Sequence, residues 1–203
     1  MDRVARLAVL LSGRGSNFAA IHQAIIDRKL KAEIACVISN RSDAPGLKRA
    51  RDAGLSAHLI DHRSFSMREA HEAEVMRILA AAEPDFICLA GYMRLLSPAF
   101  VAAFPHRILN IHPSLLPAFP GVHAQAQAIA HGVKISGCTV HFVDENLDAG
   151  PIIVQRAVEV RDGDSPETLA ERILEQEHLA YVDALNKLAS KRWRVDGRRV
   201  IFD

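Results

Sequence analysis

The 203-residue chain has few aromatic residues, little net charge and no long apolar run, and each shortage excludes a class of protein. Aromatic side chains make up 5% of the residues whereas hydrophobic residues make up 49%, so the core must be built mainly from Ala, Val, Ile and Leu. A formal net charge of +1 creates no global field that would attract nucleic acid or an anionic membrane. Any anion-binding site must therefore be local.

No apolar run approaches the ~20 residues that a membrane-spanning helix needs. The first run, residues 7–11, is shorter than a signal-peptide core and leads into Ser-Gly-Arg-Gly. We therefore predict a cytoplasmic protein with no membrane or nucleic-acid partner, which is either a monomer or a homodimer.

Cysteine is also scarce, with three residues that lie in or beside apolar stretches: Cys36, Cys88 and Cys138. No Cys-x-x-Cys pair occurs, which argues against a zinc ribbon or a disulfide framework. The metalloprotease pattern HExxH is absent, and a predicted strand end and turn separate His58 from His62. We expect buried, reduced thiols and no metal site.

Apolar runs alternate with helical patterns through the first hundred residues, which is typical of a doubly wound parallel sheet. Strands are predicted at 7–11, 33–39, 56–60, 85–91 and 107–111, and helices at 16–29, 44–53 and 65–82. A later strand pair at 135–143 and 151–160 predicts a mixed sheet. The fold class is therefore α/β, mostly parallel, with helices on both faces of the sheet.

Local signals mark several elements of this predicted fold. The first helix is expected to turn five apolar residues to one side: Phe18, Ala19, Ile21, Ile25 and Ile26. A long C-terminal helix is predicted at 166–189, with Ser165 as N-cap and Pro166 at the first helical position. The Asp-Gly pair at 196–197 predicts a hairpin turn near the C-terminus.

The first predicted strand leads into a glycine-containing loop, Ser12-Gly13-Arg14-Gly15-Ser16-Asn17, at the start of a helix. Glycines let the backbone approach an anion closely, and the free N–H groups of a helix start bind it. The third glycine of a dinucleotide loop is replaced by Phe18, and the second strand ends in Ser39-Asn40 without an acid for a ribose. The loop therefore indicates a smaller phosphate, such as a phosphoribosyl group. A glycine turn that merely closes a strand–helix unit is the alternative.

Asn110 and His112 stand at the end of the fifth predicted strand, before a segment with three prolines. Residues two apart on a strand share a face, so this amide and imidazole can both donate to a developing oxyanion. Asp148 lies in an acidic loop between two apolar strands, and an aspartate beside a histidine favours the imidazolium and fixes its orientation. No nucleophile elbow or neighbouring cysteine accompanies His112, which favours direct acyl or one-carbon transfer. The sequence does not show that positions 112 and 148 meet.

A carboxylate also interrupts the apolar stripe of the C-terminal helix. Glu177 falls in register with Ile173, Tyr181, Ala184 and Leu188, where an acid is unexpected. It either contacts ribose hydroxyls or a substrate amine, or it is a helix-edge glutamate whose carboxylate reaches solvent.

Five stretches of the sequence resemble the phosphoribosylglycinamide formyltransferases, a branch of the folate-dependent formyltransferase superfamily. They are LLSGRGSN (10–17), LAGYMRLLSPAF (89–100), ILNIHPSLLPAFPG (108–121), GCTVHFVDENLDAGPII (137–153) and QEH (176–178). The resemblance implies a Rossmann-like formyltransferase fold in a single domain, 1–203, with a nucleotide-phosphate-binding half at 1–105 and a catalytic and folate-binding half at 106–203. It also implies that the co-substrate 10-formyltetrahydrofolate donates its formyl group to the amine of glycinamide ribonucleotide (GAR) in purine biosynthesis, without a metal.

The same resemblance assigns residues to roles. It implies a catalytic set of Asn110, His112 and Asp148, in which the histidine is the proton donor and the aspartate raises the histidine pKa. It implies GAR-binding residues Gly15, Ser16, Asn17, Leu174, Glu175, Gln176 and Glu177. It implies folate-binding residues Arg68, Met93, Arg94, Leu95, Leu96, Asn110, Asp144, Glu145, Asn146, Leu147 and Asp148.

Two departures and three alternatives remain open. Ala118-Phe119 stands where members of the family often have Lys-Tyr, and Leu174 offers no polar side chain to a nucleotide. A 10-formyltetrahydrofolate hydrolase shares the catalytic set but usually carries an N-terminal regulatory domain, whereas this chain is expected to start at its first strand. A methionyl-tRNA formyltransferase needs a basic C-terminal domain for which residues 190–203 are too few. A catalytically silent folate-binding or nucleotide-binding protein is the non-enzymatic alternative.

Overall fold

The computed structural model describes residues 4–203, so residues 1–3 of the predicted domain lie outside the described range. The chain forms two compact units, one that ends at Leu109 and one that covers Asn110–Asp203. The strands are β1 (Ala5–Leu11), β2 (Ala32–Ser39), β3 (Ala57–Leu59), β4 (Phe86–Leu89), β5 (Ile108–His112), β6 (Ile135–Phe142), β7 (Ile152–Glu159), β8 (Trp193–Asp196) and β9 (Arg199–Phe202). The helices are α1 (Ser16–Ile26), α2 (Pro45–Asp52), α3 (Arg68–Ala82), α4 (Pro98–Ala103), α5 (Ala124–Ala130) and α6 (Pro166–Ser190), and a 3₁₀ turn covers His62–Ser64.

The first unit is a parallel sheet in the strand order β3-β2-β1-β4. Its central strand, β1, is buried along nearly its whole length because helices cover both faces of a parallel sheet. The backbone N–H of Ile87 in β4 donates to the carbonyl of Arg107 at 2.7 Å, where β5 begins. This arrangement confirms the alternation of strand and helix that the apolar runs predict.

The second unit has the strand order β5-β6-β7-β9-β8. Strands β6 and β7 are antiparallel, with a register shift between Val140 and His141. Strands β8 and β9 form an antiparallel hairpin, which joins β7 through the parallel pair Ile152 and Arg199. The predictions of a mixed α/β sheet and of a C-terminal hairpin are therefore confirmed.

Helix α6 begins as its sequence predicts. The Ser165 side chain accepts from the backbone N–H of Thr168, the Thr168 hydroxyl accepts from the N–H of Ser165, and Pro166 occupies the first turn. This reciprocal cap satisfies backbone donors that a helix start leaves unpaired. The helix buries the predicted stripe, which consists of Ile173, Glu177, Tyr181, Ala184 and Leu188.

Some predicted details were wrong. Helix α1 ends at Ile26 and not at residue 29. The Ile26 side chain is 59% exposed, because it lies in line with the half-buried Ala19, seven residues earlier, and not with the buried stripe of the helix. Helix α3 begins at Arg68 and not at residue 65, since a 3₁₀ turn and an extended Phe65 come first. Helices α4 and α5 were not predicted.

The three cysteines are buried thiols, as expected. Burial raises the pKa of the Cys36 thiol to about 11 and that of Cys138 to about 12, so both thiols are neutral at physiological pH. Within residues 4–203, no helix combines the length and the apolar character that a membrane crossing requires.

Candidate active site

His112 closes strand β5 with its ring buried beneath the loop that follows the strand. The side chain is 6% exposed, and Nε2 lies 2.8 Å from the carbonyl oxygen of Phe119. A carbonyl only accepts hydrogen bonds, so Nε2 carries the hydrogen and donates it. The other ring nitrogen, Nδ1, faces Asp148.

Asp148 lies between two imidazole rings. Its Oδ2 is 3.4 Å from His112 Nδ1, and its Oδ1 is 3.8 Å from Nε2 of His141. The backbone N–H of Gly121 donates to Oδ2 at 2.8 Å. The Asp148 side chain is only 9% exposed, so solvent screens the electrostatic interaction between this carboxylate and the two rings only weakly. The structure thus brings together positions 112 and 148, which the sequence alone could not join.

His141, in strand β6, links Asp148 to Asn110. Its Nδ1 donates to the carbonyl of Phe142 at 2.9 Å, and its Nε2 lies 3.4 Å from Nδ2 of Asn110. Burial lowers the pKa of His141, against the opposing influence of the Phe142 carbonyl and of Asp148. The ring is therefore neutral, and Nε2 accepts an N–H from the Asn110 amide. Asn110 meets His112 through this shared group of residues and not through a direct hydrogen bond.

His141 was not predicted as a site residue, although it lies within a stretch that matches the family. A usable signal was present, because Thr139 and His141 are polar residues two apart in a mostly apolar strand, and so share one face. Both are buried, and a buried polar side chain needs partners that the strand itself does not supply.

The segment after His112 is fixed by hydrogen bonds between side chains and backbone groups. Ser114 Oγ donates to the carbonyl of Ala118 at 2.5 Å, and the N–H of Leu116 donates to Thr139 Oγ1 at 3.0 Å. Gln155 Nε2 donates to the carbonyl of Leu116 at 2.8 Å. The bond from His112 to Phe119 uses the backbone, so the side-chain departure at Ala118-Phe119 leaves that contact available.

The glycine loop in the first unit approaches helix α2 closely. Gly15 has φ +70° and precedes the first residue of α1, and a Cβ at this position would lie 2.9 Å from Cα of Gly46. The N–H of Gly46 donates to the carbonyl of Gly13 at 3.0 Å. Gly46 is thus a second glycine that the loop requires, and it was not predicted because it lies thirty-one residues after Gly15 in the sequence.

The remaining predicted binding residues differ in exposure. Met93 and Leu95 are 80% and 64% exposed, and Arg68 is exposed at the start of α3. Asp144 Oδ1 accepts from the N–H of Asn146 at 2.9 Å and shapes the acidic loop. Glu177 is buried, with 9% of the residue exposed. Arg94, Leu96, Leu174 and Gln176 are half-buried, and Glu145, Asn146, Leu147 and Glu175 are exposed.

The chain is similar to known proteins along most of its length. Residues 5–185 match the family model described as formyl transferase. The trifunctional purine biosynthetic protein adenosine-3 of Drosophila pseudoobscura pseudoobscura is 51% identical over 187 residues, which are 91% of this chain but 14% of that protein. The chain thus spans about one seventh of that relative's length. Phosphoribosylglycinamide formyltransferase of Escherichia coli (strain K12) is 44% identical over 95% of this chain and 88% of its own length.

Solved structures show the same similarity. Glycinamide ribonucleotide transformylase 1 from Symbiobacterium toebii superposes with a TM-score of 0.95 at 49% identity, covering 98% of this chain and 94% of that one. A formyltetrahydrofolate deformylase from Pseudomonas syringae pv. tomato has a TM-score of 0.92 at 30% identity, covering 98% of this chain but 66% of that one. The transformylase is therefore more similar to this chain than the deformylase is, both in sequence identity and in the share of its own length that is covered.

Proposed function

The chain belongs to the formyl transferase family, and we propose that it transfers the formyl group of 10-formyltetrahydrofolate to the amine of GAR, giving formyl-GAR for purine biosynthesis. The observation that carries the proposal is the buried pair of His112 and Asp148, with Nδ1 and Oδ2 3.4 Å apart, at the end of the strand that also holds Asn110. The two substrates are small molecules, and the proposed location is the cytoplasm.

In the proposed reaction, the amine nitrogen of GAR attacks the formyl carbon and negative charge develops on the formyl oxygen. The Asn110 amide and the Nε2–H of His112 stabilise that charge, and His112 is the proton donor. The bond between the formyl carbon and the folate nitrogen then breaks. The amine loses one proton and the folate nitrogen gains one, so the protons balance. Asp148 stabilises the positively charged form of His112 before the ring gives up its proton and after it regains one from the amine.

The hydrogen bond from His112 to Phe119 must be replaced during this reaction. Nε2 has one hydrogen, which the Phe119 carbonyl occupies at 2.8 Å. The formyl oxygen therefore takes the place of that carbonyl when the substrates bind. The loop that carries Phe119 shields the ring from water until then.

The proposed roles of the binding residues follow the family resemblance. Gly15, Ser16 and Asn17 at the start of α1 hold the GAR phosphate, and the residues 174–177 on α6 contact the rest of the nucleotide. Met93, Arg94, Leu95 and Leu96, with Arg68 and the loop 144–148, bind the folate. The half of the chain before residue 106 accordingly supplies the phosphate site and the half after it supplies the catalytic groups.

The decisive experiment is a spectroscopic assay of 10-formyltetrahydrofolate consumption, run with and without GAR. Consumption that requires GAR and yields formyl-GAR supports the proposal. Formate release in the absence of GAR supports the hydrolase, and folate binding without turnover supports a silent binding protein. Either of the last two results contradicts the proposed transfer.

A further inference from the structure

The segment Gly91–Ser97, between β4 and α4, displays apolar side chains to solvent in spite of being firmly held. Met93 and Leu95 are 80% and 64% exposed, whereas Tyr92 and Arg94 are half-buried. Exposed apolar side chains that stand together mark a surface that becomes covered by a partner or ligand. The bonds at the two ends of this segment explain how it keeps its shape while its apolar residues stay uncovered.

The first end is bonded to Ser12, the residue that follows strand β1. The backbone N–H of Met93 donates to Ser12 Oγ at 2.8 Å, and the Ser12 hydroxyl donates to Asn40 Oδ1 at 2.6 Å. The N–H of Ser12 donates to the carbonyl of Gly91 at 3.0 Å. Ser12 and Asn40 are buried, at 5% and 2% exposure, so these bonds lie where water does not compete with them.

The second end is bonded to helix α3 through a buried carboxylate. Glu72 Oε1 accepts from the backbone N–H of Ser97 at 2.9 Å, and Oε2 accepts from the Ser97 hydroxyl. The same hydroxyl accepts from the N–H of Phe100 at 3.1 Å, and so caps α4. Glu72 is 5% exposed. A buried charge is costly unless it is hydrogen-bonded, and both oxygens of Glu72 bond to one residue at the end of the segment.

We propose that Glu72 is a positioning residue for folate binding, because it fixes the backbone of the 91–97 segment so that Met93 and Leu95 present a preformed apolar surface to the flat pterin ring. This inference rests on the proposed function, which places the segment in the folate site. Glu72 does not touch the folate. It acts by removing freedom from the segment before the ligand arrives, which is how preorganisation raises affinity.

A carboxylate suits this task better than a neutral side chain. It accepts from the N–H and the hydroxyl of Ser97 together, whereas a glutamine in the same place has one accepting oxygen and an amide that only donates. Ser97 is bonded on both sides, to Glu72 and to Phe100, so the position of the segment and the start of α4 are set by one residue. Loss of the carboxylate loosens both.

The test compares Glu72→Gln and Glu72→Ala with the wild-type protein. We expect KM for 10-formyltetrahydrofolate to rise about 10-fold in Glu72→Ala, since hydrogen bonds to a charged group are the strong ones, and to rise less in Glu72→Gln. The KM for GAR and kcat at saturating substrates should change less than about twofold, which a general loss of structure would not produce. Glu69→Gln is the matched control, because Glu69 is an exposed glutamate on the same helix.

A second pair of variants keeps the test valid if the Glu72 variants do not fold. Ser97→Thr retains the hydroxyl and the N–H and should keep the wild-type KM for folate, whereas Ser97→Ala loses the bond to Oε2 and should raise it. An unchanged folate KM in Ser97→Ala, or equal losses in both KM values and kcat, would overturn the inference.

Direct binding separates this inference from the proposed function. Calorimetric titration with tetrahydrofolate reports affinity without any turnover. If the wild-type protein fails to make formyl-GAR but Ser97→Ala and Glu72→Ala bind tetrahydrofolate more weakly than wild type, the proposed reaction fails while the positioning role stands. Equal affinity in all variants overturns the positioning role whatever the reaction.

Discussion

Oδ2 of Asp148 lies 3.4 Å from Nδ1 of His112, and both side chains are more than nine-tenths shielded from solvent. The same oxygen accepts the N–H of Gly121 at 2.8 Å. One carboxylate therefore orients a ring of strand β5 and holds the loop that covers this ring. A single side chain, that of Asp148, therefore sets the charge beside the ring and the position of Gly121 in the loop.

Replacing Asp148 by Asn should slow the chemical step while leaving the shape of the site nearly intact. The variant keeps an oxygen for the Gly121 N–H but removes the negative charge that supports a protonated His112. We expect kcat to fall about 10²–10⁴-fold. Asp162→Asn is the control, because that aspartate is 90% exposed. A kcat equal to that of wild type would exclude Asp148 from the chemical step.

Replacing His112 by Ala removes the proposed proton donor and should reduce kcat at saturating substrates by about 10²–10⁴-fold. Asn110→Ala should give a loss within the same range, because the amide is the other donor to the formyl oxygen. Single-turnover measurements separate this loss from slow product release. Near-normal turnover in His112→Ala would mean that another group supplies the proton.

Changes in the glycine loop should weaken nucleotide binding and spare folate binding. Ser16→Ala removes a hydroxyl at the start of α1, so the KM for GAR should rise about 10-fold, as expected for a bond to a charged phosphate. Gly15→Ala should have a larger effect, because its Cβ would meet Gly46 at 2.9 Å and its φ of +70° disfavours a side chain. Isothermal titration with GAR measures the affinity of both variants for the nucleotide. Unchanged GAR affinity in Ser16→Ala and Gly15→Ala would contradict the phosphate-loop assignment.

The protein should lose stability as the pH falls below about 6.5. Burial lowers the pKa of His71, His141 and His178 from the ordinary value of 6.5. The unfolded chain then binds protons that the folded chain does not, so the free energy of unfolding decreases as the pH falls. For His71, the Ile60 carbonyl and Glu72 oppose this shift, and Arg94 and His62 reinforce it.

Urea unfolding at pH 7.5 and pH 5.5 tests this dependence. Asp61 and Asp164 have a lowered pKa because Arg63 and Arg172 bond to them, and their contribution is lost only well below pH 5. His71→Gln keeps a donor for the Ile60 carbonyl and should show a smaller difference between the two pH values than wild type. An equal difference would show that His71 does not contribute.

Most of the fold was predictable because its central strands are continuous apolar runs and because Ser165 and Pro166 mark the start of the longest helix, α6. Helices α4 and α5 were not, since six and seven residues are too few for a helical period to show. Helix α5 reads AQAQAIA and begins after His123 in a left-handed conformation, which no sequence signal announced. The pairing of β9 with β7 depends on contacts distant in the sequence, so the hairpin was predictable but its place in the sheet was not.

The candidate site was predictable as a set of residue types and only partly as an arrangement. Asn110, His112 and Asp148 were identified from their place at strand ends and from resemblance, but their roles stay predictions. His141 was missed although its polar ring two residues after Thr139 is a signal, and the Phe119 carbonyl was missed because a backbone oxygen leaves no pattern in the sequence. The supporting hydrogen bonds of Glu72 and Ser12 were not predictable, since their bonding partners lie 25 and 81 residues away in the sequence.

The two ends of the 91–97 segment are held by Ser12 and Glu72, and neither anchor is among the residues that the segment displays. Exchanges at Met93 and Leu95 therefore alter the contour and polarity of the displayed surface without breaking a bond that supports it. Substitutions of these two side chains can therefore change which ligands the surface accepts, while the hydrogen bonds that support the segment stay the same.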